Sequence, residues 1–596
     1  MFHSFQPSGL LNFELSPYLF KALARHQFRF VAWCGALAVA LCGPWNPAAA
    51  QTKGSTAITL AITAGGRPAT TVTSGTEVTL RATVKAGTTS VTTGQVNFCD
   101  ATAAYCMDIH ILATAQLTSS GSAIYNFRPG IGSHSYRAVF VGTNSYAGSI
   151  SSASSLTVTG TSGPFATATS ITETGAWGDY TLTGTVTEAG GTVAPTGTVS
   201  FLDASNGNSV LATGSLGPAV AGIGWPNPGS LPNTPDTSFV LVADLNGDGI
   251  PDVVLETSPV LIYLGNTDGT YTEAAAPPIQ GPTSYPLVIA DFNGDGIPDL
   301  GVPLYGGNEI GILLGKGNGT FADPVVATVP GSNIEIGPIV VADFNGDGIP
   351  DLAVIAEADS STVDILLGNG DGTFTADATN PPTSGTPSYF ATGDFNGDGK
   401  TDLAVAEGGT IAILLGNGDG TFAASGSVNS GSTGSPIAVA DFNSDGKPDI
   451  ALAAGTGTSE SVIVLTGNGD GTFNSPSPGG PTSTSVTWIQ VADFNQDGAA
   501  DVVLADSSGS ATVLLNNGSG LLSESFPVVA GLRVPYYLEV AVGDLNGDGY
   551  PDIVAGAYYE SSQGLYLTEP TETASATASV QVNGVGQHLV QASFPA

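Results

Sequence analysis

The 596-residue sequence predicts an all-β protein, a seven-bladed β-propeller inserted in or following β-sandwich modules. Three observations predict it. A nine-residue pattern recurs seven times at nearly constant spacing, short apolar runs flank every copy, and the remaining residues fall into segments that alternate polar and apolar side chains. The composition agrees: 81 glycines, only 11% charged residues and no long helix-forming run suit short strands joined by many turns. A chain this long also exceeds what one hydrophobic core organises, so several domains are expected.

The copies read DLNGDGIPD, DFNGDGIPD, DFNGDGIPD, DFNGDGKTD, DFNSDGKPD, DFNQDGAAD and DLNGDGYPD, and they recur every 47 to 52 residues, the spacing of a propeller blade. A strand such as 339–342 precedes each copy and another such as 352–355 follows. A third strand then runs into LGNGDGTF or a relative of it, as at 367–374 and 415–422. Asn-Gly and Asp-Gly supply the positive φ angles of a tight hairpin, so a fourth strand returns and the blade is complete. Phe321, Phe374, Phe422 and Phe473 at the hairpin ends are expected to pack between blades. The seventh unit lacks a fourth strand after 564–567, and residues 225–233 are placed to supply it, which would remove an exposed sheet edge.

Outside the repeats, residues 93–98 (TGQVNF) parallel 196–201 (TGTVSF), and an alternating strand precedes each, at 78–84 and 180–186. The first module continues to GSHSYRAVF at 132–140. The second breaks off near Gly222 and finds its counterpart after the ring, as GQHLVQASF at 586–594. The expected organisation is therefore a first sandwich over 51–160, the opening of a second over 161–222, the propeller over 223–568, and the remainder of the second over 569–596. Nothing after Phe594 matches the first module's last strand, so the second module is expected to be incomplete.

Residues 1–50 read as an export signal: Lys21, Arg25 and Arg29 precede an apolar run at 30–43, and Ala48, Ala49 and Ala50 offer a small-residue cleavage site. The run is too short for a membrane span, and no later segment is apolar enough to be one. After cleavage only Cys99 and Cys106 remain, close together in an expected hairpin, and an oxidising compartment favours a disulfide between them.

Thirteen Lys+Arg against 51 Asp+Glu give a formal charge of −38, which argues against nucleic acid or anionic membranes as partners and favours cations. The acids concentrate in the repeated loops. Position 1 is Asp244, Asp291, Asp343, Asp394, Asp441, Asp493 and Asp544. Position 3 is Asn246, Asn293, Asn345, Asn396, Asn443, Asn495 and Asn546. Position 5 is Asp248, Asp295, Asp347, Asp398, Asp445, Asp497 and Asp548. Position 7 offers its carbonyl, from Ile250, Ile297, Ile349, Lys400, Lys447, Ala499 and Tyr550. Position 9 is Asp252, Asp299, Asp351, Asp402, Asp449, Asp501 and Asp552. A hard cation such as calcium takes six to eight oxygens, which a short loop supplies by turning alternate side chains inward around a sharp glycine bend. The bland alternative is a set of metal-free Asx turns. Three carboxylates crowded into each loop favour the cation, about seven Ca2+ in all, acting as structural staples.

The pattern shares the opening of an EF-hand loop but lacks its Glu at position 12 and its flanking helices. It resembles instead the calcium loop of FG-GAP and VCBS-type repeats, the integrin-α-like propellers, over about 238–568. Residues 51–160 and the split second module resemble bacterial Ig-like repeats. These resemblances imply a secreted or cell-surface protein that mediates adhesion, or protein or glycan recognition.

Recognition is expected on the variable loops opposite the metal loops, with Tyr285, Tyr389, Trp488 and Tyr537 as the candidate ligand face; Tyr305, Phe390, Tyr536, Tyr558 and Tyr559 belong to the same set. An enzyme is not expected. Residues 223–568 contain no His or Cys, and Lys316, Lys400, Lys447 and Arg533 are their only basic residues, so an acid, base or nucleophile is hard to assemble. The alternative is a calcium-dependent carbohydrate-active enzyme of the polysaccharide lyase or dehydratase type.

Overall fold

A computed structural model of the chain describes residues 53–160, 166–176, 179–190, 194–226, 228–232, 234, 237, 239–279, 286–304, 306–331, 335–357, 362–377, 379–381, 383–430, 436–456, 459–476, 485–529, 538–557, 563–580 and 589–594. The export signal expected over 1–50 lies outside them. Strands build the described chain, interrupted by two single 3-10 turns at Asp108–His110 and Ala204–Asn206. Among the described residues no helix is long and apolar enough to cross a membrane.

The first sandwich forms because its strands alternate. Along Val78–Ala86 the side chains of Val78, Leu80, Ala82 and Val84 are fully buried, while the residues between them face outward. This strand pairs with Ala57–Ala64 and Ser122–Phe127 in one sheet. The facing sheet runs Thr71–Thr73, Ser154–Thr159, Gly132–Phe140, Gln95–Asp100, Ile111–Gln116 and contributes Val96, Phe98, Ala138 and Phe140 to the shared core. Cys99 and Cys106 form a disulfide across the turn after Gln95–Asp100.

The second sandwich takes strands from both sides of the ring. Asp179–Ala189 pairs along its length with Glu569–Val580, and Thr198–Asp203 pairs with Val590–Ser593. The chain leaves this module through Val220–Gly224, and Gly224 faces Glu569 in the ladder, so the departing and returning segments lie side by side.

Between them, the chain builds seven antiparallel sheets radiating from a hub. The first strands of blades 2 to 7 lie beside one another in order, and that of blade 7, Leu538–Gly543, meets that of blade 1, Phe239–Ala243. Second strands such as Asp252–Glu256 and Asp402–Glu407 are buried on both faces because each is sandwiched between neighbouring blades. This explains their continuous apolar runs. Seven hydrophobic clusters, one per blade boundary, cement the ring. The last blade is completed from the other end of the domain: Gly229–Ser230 pairs with Gly564–Tyr566 as its outer strand. Leu231, almost wholly buried, anchors that closure in the cluster between blades 7 and 1.

Candidate metal centre

Each repeated loop joins the first strand of a blade to the second, which puts all seven at one end of the ring. In blade 3 the Asp343 carboxylate closes the loop: Oδ1 accepts from the N–H groups of Gly346 and Asp347 at 2.7 and 3.2 Å, and Oδ2 from Gly348 at 2.7 Å. Asn345 Oδ1 accepts from Asp347 at 2.8 Å, and Asp347 Oδ1 from Ile349 at 2.8 Å. Such nesting needs left-handed backbone at position 4. Glycine supplies it at Gly346 (φ 74°), whereas Ser444 and Gln496 adopt it in blades 5 and 6 at φ 58° and 57°.

Position 9 is different in kind. Asp252, Asp299, Asp351, Asp402, Asp449, Asp501 and Asp552 are all fully buried at the start of the second strand. Asp351 Oδ2 accepts from Phe344 N–H at 2.9 Å, and its Oδ1 accepts from Gly368 N–H at 2.7 Å at the end of the third strand. The other six repeat this double tie. Position 9 thus rivets the loop to the sheet beneath it.

Burial disfavours these charges, and neighbouring carboxylates add to the penalty, while backbone N–H bonds only partly offset it. Asp252, Asp299, Asp351 and Asp449 are pushed up to about 7, Asp402 to about 6, Asp501 to about 8 and Asp552 to about 9. At position 1, burial raises Asp343 and Asp493 to about 6 and Asp544 to about 7. Among the described residues lysine pairs with two loops, at their exposed rims: Lys400 to Asp398 at 3.2 Å and Lys447 to Asp445 at 3.7 Å.

Among the described residues no three His, Cys, Asp or Glu side chains converge into a ready cage. The position-9 oxygens are turned down into the sheet, and those of positions 1, 3 and 5 hold loop N–H groups. A carboxylate has about four lone-pair sites, so each keeps acceptor capacity for a cation. The donor set, all oxygen and mostly anionic, suits a hard divalent ion.

The hairpins between third and fourth strands share this end of the ring. Asp371 Oδ1 accepts from Thr373 N–H at 3.0 Å, a side-chain-closed turn. Phe374 packs edge-on against Phe292 of the preceding blade's loop, as Phe422 does against Phe344 and Phe473 against Phe395. Backbone bonds run alongside, from Gly420 N–H to Phe344 O at 3.1 Å and from Gly471 N–H to Phe395 O at 2.9 Å. Adjacent repeated loops are therefore coupled mechanically.

The first sandwich lies over the same end. A chamber of about 1590 Å³ between it and the ring is lined by Tyr105, Asp108 and His110 on one side and by loop residues including Asp244, Asp493 and Asp544 on the other.

Over residues 244–302, 304–354, 343–405, 394–452, 441–504 and 493–555 the sequence matches the FG-GAP-like repeat. The chain belongs to the FG-GAP-like repeat family. Residues 50–159 of this FG-GAP protein match the bacterial Ig-like domain, group 3, which is the first sandwich. No curated protein matches the chain. A solved structure similar to this FG-GAP chain is the periplasmic gluconolactonase of Pseudomonas aeruginosa, 14% identical, covering 55% of this chain and 95% of that one, with a TM-score of 0.35.

The aromatic residues expected on the opposite loops need correction. Tyr389 and Trp488 sit in first strands, Pro387–Gly393 and Val486–Ala492. Tyr389 packs into the boundary between blades 4 and 5, and Trp488 meets Phe239 edge-on at 5.4 Å. They are half-buried strand residues because apolar alternation continues through them. Tyr285 and Tyr537 lie outside the described residues, as do Tyr305, Tyr536, Tyr558 and Tyr559. Sequence reasoning missed Asn126, Arg128 and Asn144, which join the first sandwich to the repeated loops. No local pattern marks them, since each contact spans more than a hundred residues.

Proposed function

We propose that this protein is a calcium-stapled extracellular scaffold that recognises a protein or glycan surface, and that it binds rather than turns over its ligand. FG-GAP repeats and a bacterial Ig-like domain fit an extracellular recognition or adhesion protein. The observation that carries the calcium reading is the seven-fold set of buried position-9 carboxylates, each crowded by two further acids and, among the described residues, none ion-paired with a lysine or arginine. A divalent ion over each loop would supply the missing positive charge. Positions 1, 3 and 5 and the position-7 carbonyl are the residues that would hold it, with position 9 beneath them. The ion's contribution there is structural, neutralising charge and fixing the loop backbone.

The recognition reading rests on the family and on a rigid ring whose end opposite the metal loops carries connections of varied length. A glycan array and a cell-attachment assay, each run with calcium and with EDTA, test it. Saturable, calcium-dependent attachment without product formation is expected. Release of a cleaved or dehydrated sugar product would replace this reading with the enzymatic one.

A further inference from the structure

The first sandwich grips the metal loops through the same peptide units that the position-1 aspartates hold. In blade 3, the peptide joining Asn345 to Gly346 donates its N–H to Asp343 and accepts from Asn144 Nδ2 at 2.8 Å through its carbonyl. The next peptide donates the Asp347 N–H to Asp343 and accepts from Asn144 N–H at 2.6 Å through the Gly346 carbonyl. Blade 1 repeats the arrangement. There the Gly247 carbonyl accepts from Asn126 Nδ2 at 3.0 Å, and the Asp248 N–H on the same peptide donates to Asp244. Arg128 reaches the Asp248 carbonyl at 3.4 Å, and the Gly249 N–H on that peptide donates to Asp244.

Close backbone approach adds selectivity. A Cβ on Gly348 would lie 2.3 Å from Gly94 Cα, and one on Gly446 would lie 2.4 Å from the Tyr105 ring, so a side chain at either position would hold the sandwich away. In blade 4 the equivalent Gly399 has nothing within 4 Å. Seven similar loops thus face one asymmetric partner, which engages some and not others.

We infer that docking of the first sandwich on the ring is linked to calcium in the loops it touches, blades 1 and 3 foremost. The inference rests on the calcium reading above. A cation held by Asp343 or Asp244 fixes the peptide planes whose carbonyls the sandwich reads, and a hydrogen-bonded peptide polarises in the same sense on both sides. Linkage is reciprocal, so docking also tightens calcium in those loops.

The test uses the full chain and calcium alone. Calorimetric titration establishes binding, and hydrogen exchange follows the Asn144 amide, which donates directly to the Gly346 carbonyl. Calcium is expected to slow exchange of residues 143–147 by about tenfold or more. Asp343→Ala should abolish that protection. Asp394→Ala, which damages the untouched blade 4 loop to the same degree, should leave it. Asn144→Ala alters no metal ligand and removes only the Nδ2 bond to Asn345, so it should weaken the protection while binding the same number of ions. Calcium binding with unchanged exchange at 143–147, or equal effects of Asp343→Ala and Asp394→Ala, would overturn the linkage and leave the calcium reading standing. Absence of any calcium binding would overturn both.

Discussion

At position 9 of each loop a single carboxylate does three things at once: it ends the loop, starts the second strand and ties both to the third. Asp351 accepts from Phe344, Asn345 and Gly368, and removing it strands those buried donors. Asp351→Ala is therefore expected to cost about 3 kcal/mol in chemical denaturation, against a much smaller loss for Asp371→Ala in the exposed hairpin. Glu539 presents the opposite situation, a half-buried residue whose Oε2 is buried and has no hydrogen-bond partner among the described residues. Burial, with Glu256 adding its charge, holds its pKa well above the ordinary carboxylate range. The folded chain then keeps a proton that the unfolded chain releases near pH 4, so stability falls as pH rises from there through the folded pKa. Glu539→Gln should gain on the parent in denaturant midpoint as pH rises from about 4 to about 8. A difference between Glu539→Gln and the parent that is the same at both pH values would remove this explanation.

At the scale of the element, the repeat carries its own cement. Phe344 at position 2 is almost wholly buried, stands edge-on to Phe422 at 5.7 Å, and offers its carbonyl to Gly420. Phe344→Ala should cost about 3 to 5 kcal/mol, and the lost protection in hydrogen exchange should appear in blades 3 and 4 together. Unfolding confined to blade 3 would contradict the coupling. Here the limits of reading the sequence are visible. The hairpin phenylalanines were legible as inter-blade residues because they end a turn of fixed chemistry. Their partners at position 2 were not, because they sit among the acids of the repeated loop and draw no attention as apolar residues. Tyr389 and Trp488 were misplaced on loops because short blade strands begin without a cap or turn signal. Cys99 and Cys106 needed only their proximity.

Across the whole molecule, the blade count and all-β class were legible because one nine-residue pattern recurs at blade spacing. The seat of the first sandwich was not. Asn144 and Asn345 are 201 residues apart, and nothing around either announces the other. The ring is closed by residues from its two ends, through Gly229 opposite Leu565 and Trp225 Nε1 donating to Thr568 at 3.0 Å. Thr568 N–H in turn donates to Asp552 Oδ1 at 2.7 Å, so closure and the last repeated loop share one hydrogen-bonded chain. An ion bound in that loop, as proposed above, would therefore brace the closure as well.

Calorimetric unfolding of the full chain, scanned with saturating calcium and again after EDTA, bears most directly on the calcium-stapled ring. An ion at a hundred times its dissociation constant adds about 2.7 kcal/mol per site. For a domain of this size a few such sites should raise the midpoint by about 10 °C or more. Coincident transitions with and without calcium would contradict the account.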